Sequence, residues 1–119
     1  MQDFRKLEVW AKAHALAVDL YRTTRTFPAE EKFGLTSQMR RAAVSISSNI
    51  AEGCGRGGAA DMGRFLQISI GSACELECQL LLAADLDLLG AADAERLIKG
   101  VNRVRRMLIA LRSKVAPCS

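Results

Sequence analysis

QMRRAAVSISSNIAEGCGRGG, residues 38–58, is the stretch whose reading decides the fold. Together with Leu35 it sets Met39, Ala42, Ile46, Asn49 and Gly53 at alternating steps of four and three, the spacing that lines up one face of an α-helix against partner helices. The residues beside that stripe are mostly small: Ala43, Ser45, Ser47, Ser48 and Ala51 let a second backbone come close. Asn49 places one polar group in the seam, where it needs a hydrogen-bond partner. With no nucleophile or metal ligand beside it, its expected role is to set helix register rather than to catalyse. The glycines from Gly53 to Gly58 stop the helix and let the chain reverse.

Upstream, Phe27 and Pro28 end a first helix, because a residue before proline leaves the helical region and proline cannot donate the next bond. Val9, Ala13, Leu16 and Leu20 form one stripe of that helix, and Leu7, Trp10, His14, Ala17 and Tyr21 a second, an apolar arc wider than a lone bundle needs. His14 on this arc is expected to be a core or interface residue. Glu30 and Glu31 suit the positive end of a short turn closed by Gly34, after which Thr36 reads as the N-cap of the second helix. Glu52 sits where the helix dipole disfavours negative charge, so a cation is expected beside it, Arg56 or an arginine from another helix.

Downstream, Met62, Leu66, Ser69, Ala73, Leu76, Leu80 and Ala83 form one seam of a long third helix. Ile70, Cys74, Glu77, Leu81, Ala84 and Leu88 form a second. A helix apolar on nearly every side needs partners beyond its own bundle, which predicts self-association. Folding back about the glycines brings Ala42, Ala43 and Ser45 near Gly71, Ser72 and Ala73. Gly90 reads as the end of the third helix and Asp93 as the N-cap of a fourth, whose stripe is Leu97, Val101, Val104, Leu108, Leu111 and Val115. The expected architecture is one all-α domain over residues 1–119, an antiparallel up-down-up-down four-helix bundle without a sheet. Its helices fall near 7–26, 36–53, 60–89 and 93–115.

The segments FPAEEKFGLTSQMRRAAVSISSNIAEGCGR and FLQISIGSACELECQL resemble the four-helix-bundle proteins encoded in intervening sequences of bacterial 23S ribosomal RNA. The similarity runs from LEVWAKA to LDLLG and fades in the last helix. The resemblance implies a small helical protein that forms rings, pentamers above all, and associates with RNA. A similar bundle is the accessory protein of diversity-generating retroelements, which binds nucleic acid and a reverse transcriptase.

Composition bounds the function independently. Half of the 119 residues are apolar, enough for a core and too many for disorder. The N-terminus MQDFRKLEVW has no apolar targeting core, and no uninterrupted apolar run reaches the ~18 residues of a membrane span, so a cytoplasmic protein with no membrane partner is expected. Cys74 and Cys78 lie one turn apart, with Cys54 among the glycines and Cys118 in the tail. This is not zinc-ribbon spacing, and free, buried, metal-free thiols are expected. The glycine run lacks the preceding strand and the Lys-Ser/Thr of a nucleotide P-loop, which favours a flexible connector. No paired acid and base, nucleophile with histidine, or cofactor fingerprint is present, so neither an enzyme nor a cofactor is expected.

Charge is the one asymmetry. Residues 96–119 hold seven Lys/Arg and no Asp/Glu, and since the whole chain carries +4, the remainder sums to −3. Arg96, Lys99, Arg103, Arg106 and Lys114 fall within about 80° on a helical wheel, opposite the apolar stripe. One reading is a solvated face partly paired with Glu75, Glu77, Asp85 and Asp87. The other is a strip that contacts nucleic-acid phosphates, structured RNA above all, without reading sequence, since stacking aromatics are absent there. A protein-interaction scaffold is the alternative function.

Overall fold

The computed structural model describes residues 3–115, which build four long helices: α1 (Glu8–Thr23), α2 (Leu35–Arg56), α3 (Ala59–Asp85) and α4 (Ala91–Val115). No strand occurs among the described residues, and Cys118 lies outside them. Each helix is selected by its apolar stripe. Val9, Ala13, Leu16 and Leu20 of α1 are buried, as are the first α3 seam from Met62 to Ala83 and Leu97, Val101, Val104 and Leu108 of α4. Helices α1 and α3 each pack on both α2 and α4, so the four stand at the corners of a square in up-down-up-down order. The bundle measures 44 × 22 × 21 Å, about the ~40 Å that α3 spans at 1.5 Å per residue.

The small residues of α2 and α3 meet as the sequence predicts. Ser45 Oγ and Ser72 Oγ share a hydrogen bond of 2.8 Å, and the buried Ser69 Oγ donates to the Ile46 carbonyl at 2.8 Å. Asn49 does not make the interhelical tie expected of it. Its Nδ2 donates to Ser45 O at 2.8 Å and Ser45 Oγ at 3.0 Å on its own helix, because it sits half-buried at the edge of the seam.

The glycines behave differently from expectation. Helix α2 continues through Gly53 and Gly55 and ends only at Gly57, whose φ of +82° is left-handed, leaving Gly57 and Gly58 as the whole connector. Gly53 is needed for closeness rather than as a stop, since a Cβ there would stand 2.9 Å from Met62 Sδ and 3.1 Å from Phe65 Cβ. Gly53→Ala should therefore destabilise the protein by about 1–3 kcal/mol. Urea unfolding checks this, and an unchanged midpoint would mean that α2 and α3 part there at no cost.

Other boundaries shift for local reasons. Helix α1 ends at Thr23 and tightens into a 3-10 turn, Thr24–Thr26, where the Thr24 hydroxyl bonds the Leu20 carbonyl at 2.8 Å. Gly34, not Thr36, is the N-cap of α2, and Thr36 is buried inside it. Helix α3 stops at Asp85, before Gly90. Asp87 adopts φ +61°, its N–H reaches Ala84 O, and Leu88 N–H reaches Ala83 O, both at 3.0 Å. This pair of bonds is a Schellman closure, with aspartate in the position glycine usually holds. Helix α4 starts at Ala91, which puts Asp93 in its first turn rather than at its cap.

By length and composition α3 could cross a membrane, a property that counting uninterrupted apolar residues missed. In the bundle one seam of α3 is enclosed, with Leu66, Ala73, Leu76 and Leu80 fully buried.

Candidate nucleic-acid interface

The buried stripe of α4 turns Arg96, Lys99, Arg103, Arg106 and Lys114 outward, and all five are exposed. They are not equivalent. The Arg96 guanidinium grips Asp19 of α1 with two bonds, Nε to Oδ2 at 2.9 Å and Nη2 to Oδ1 at 3.0 Å. It also donates to Asp93 Oδ1 at 2.6 Å and to Thr23 Oγ1 at 3.1 Å. Lys99 pairs with Glu95 at 3.2 Å. Arg103, Arg106, Arg112 and Lys114 pair with no carboxylate among the described residues. The row thus splits into a neutralised N-terminal half and a free C-terminal half.

Of the four acidic residues expected to balance this helix, only Glu77 does so, and it takes Arg105, which lies outside the row. Glu77 accepts from Arg105, and Asn102 Nδ2 donates to the other carboxylate oxygen at 3.3 Å, tying α4 to α3. The Arg105 proton is held above the ordinary guanidinium range, chiefly by this bond. The Arg56 cation expected beside Glu52 is present at 3.1 Å.

Bonding to Arg96 holds the Asp19 carboxyl below its ordinary value, against the opposing effect of partial burial. A depressed carboxylate stabilises the fold above its unfolded pKa, and that contribution fades as pH falls through the folded value. Asp19→Asn should therefore lower the thermal midpoint at neutral pH and shrink its fall on acidification below about pH 5. A parallel acid limb in melting curves of the two proteins would contradict the pairing.

The family model of the 23S rRNA-intervening sequence protein matches residues 5–110. The chain belongs to this family. Among solved structures, the chain is similar to a protein of unknown function from the S23 ribosomal protein family of Bacteroides thetaiotaomicron VPI-5482. The two share 24% identity and a TM-score of 0.82 over 88% of this chain and 95% of that one, a likeness of fold. No curated protein matches the chain.

The second seams predicted for α1 and α3 are only partly on the surface. Ala17 is buried, and Leu7, Trp10, Ile70, Ala84 and Leu88 pack half-buried against the core. Leu81 is exposed beside Leu82 and Leu86, which belong to neither seam. Leu81, Leu82 and Leu86 are each about half exposed, as is Ile109 of α4. His14 is exposed and stacks on Trp10, ring centroids 4.9 Å apart, rather than entering the core. Cys74 and Cys78 are free and exposed, contrary to the buried thiols expected, while Cys54 is buried. Lys32, Arg40 and Arg41, in the deciding stretch and its lead-in, form a second group of cations that the charge count of α4 does not reveal. The available signal was Phe33, an aromatic in an otherwise polar turn, 89% exposed.

Proposed function

We propose that this chain is a non-enzymatic bundle that assembles with copies of itself and holds structured RNA by its phosphate backbone. The observation that carries the reading is the group Arg103, Arg106, Arg112 and Lys114, cations on one helix that no carboxylate of the described chain neutralises. Such a surface attracts phosphates without reading bases, and the absence of aromatics along it favours backbone or duplex contacts over stacking. Self-association is supported by Leu81, Leu82, Leu86 and Ile109, about half of whose apolar surface is left uncovered by the described residues. Assembly repeats the basic face in each subunit, so one RNA that spans several subunits is held by their sum. The ring of five that the resemblance implies is the assembly we favour.

Fluorescence anisotropy with two labelled RNA duplexes of unrelated sequence tests this reading. Comparable saturable binding to both is expected at low salt. Protein that leaves both unbound would overturn the nucleic-acid role and leave a protein-interaction scaffold.

A further inference from the structure

Where α1 ends and α2 begins, a cavity of about 400 Å³ opens that no α4 cation lines, walled by Tyr21, Phe33 and the first two turns of α2. Lys32, Arg40 and Arg41 line it, and none of the three pairs with a carboxylate among the described residues. Arg40 uses its donors on neutral acceptors, Nε to Thr24 Oγ1 at 3.0 Å and Nη2 to Tyr21 O at 3.2 Å. Those bonds fix the guanidinium 4.6 Å over the Tyr21 ring without cancelling its charge.

The backbone adds donors. No side chain of Gly34 caps α2, and Glu31 Oε1 accepts only the Leu35 N–H, at 3.3 Å. The N–H groups of Thr36 and Ser37 find no acceptor among the described residues, at the end of a 22-residue helix where the dipole is positive. Thr36 also lines the cavity, is 7% exposed, and its Oγ1 is buried with no partner. A hydroxyl withdrawn from water without an acceptor marks a place where an acceptor belongs. At the outer edge the Phe33 ring is almost fully exposed, with the Lys32 ammonium 5.4 Å from its centroid.

An occupant that answers these features is anionic, offers several acceptor oxygens at one point and presents a flat face a few ångströms away. A carboxylate meets the charge but not the number of donors, whereas a phosphate ester meets both. We infer that this cavity is a nucleotide site, with the phosphate held by the start of α2, Lys32 and Arg41, and the base stacked on Phe33. The occupant is a free nucleotide or one unit of a strand, which share this chemistry.

Backbone amide NMR of the full-length protein tests the site with AMP, inorganic phosphate, adenosine and a five-residue single-stranded RNA as separate probes. Millimolar AMP should shift the Thr36 and Ser37 amides, phosphate should do so more weakly, and adenosine should not. Lys32→Gln with Arg41→Gln, both on exposed side chains, should weaken AMP about tenfold or more. Phe33→Ala should weaken AMP about fivefold or more while leaving phosphate unchanged. A strand that acts at lower concentration than AMP identifies a strand unit as the occupant, and the reverse order identifies the free nucleotide. Amides that stay still with AMP and with the strand, or shifts that survive the charge substitutions, overturn the site. Arg103→Gln with Arg106→Gln should leave the AMP response intact, so this site and the α4 interface stand or fall separately.

Discussion

Replacing Leu81, Leu82 and Leu86 with glutamate is expected to disperse the assembly into single chains and to weaken binding to long structured RNA about 10²- to 10⁴-fold. The three side chains are 51%, 50% and 54% exposed in one chain, so they contribute little to its own core. Covering the exposed half of each would contribute on the order of 0.8–1.5 kcal/mol to association, and a carboxylate in its place must instead be desolvated without a partner. Helicity should survive, because the first α3 seam from Met62 to Ala83 stays buried. Light scattering reports the mass and anisotropy the affinity. A wild-type mass equal to one chain, or a dispersed variant with undiminished RNA affinity, would contradict the link between assembly and binding.

Replacing Arg103, Arg106 and Lys114 with glutamine should lower RNA affinity on the order of 10²-fold at low salt while the fold and the assembly persist. These side chains point away from the buried stripe and have no carboxylate partners among the described residues, so their removal leaves no charge unpaired within the chain. Lys99→Gln is the internal contrast. Glu95 already sits 3.2 Å from that ammonium, and its loss should change affinity little. A triple variant with wild-type affinity would remove the α4 face from the account.

The fold was legible because the steps of four and three carry the core directly. From Val9 to Leu20 and from Leu97 to Leu108, the positions that repeat are the positions that are buried. Helix ends were less legible, because tertiary contact overrides local preference. Gly53 lies within the last turn of α2, where Met62 and Phe65 leave no room for a side chain, and Asp87 in the left-handed region closes α3 in place of Gly90.

The candidate site was legible as a face but not as a charge distribution. A helical wheel puts Arg96 and Arg103 side by side on α4. Only the packing of α1 against α4 shows that Asp19, 77 residues away in sequence, takes Arg96. The cavity at the start of α2 was hidden for the same reason, since Tyr21 and Arg40 come from different helices and meet only in the bundle.

The most direct test of the central claim is the affinity of the wild-type protein for one RNA duplex, measured across a salt series. With Arg103, Arg106 and Lys114 each meeting a phosphate, the logarithm of the association constant should fall against the logarithm of salt with a slope of about −2 to −3 for each engaged chain. It should be steeper for the assembly, and unchanged when the duplex sequence is scrambled. A slope near zero, or binding confined to one sequence, would show that the protein does not hold RNA by its phosphates.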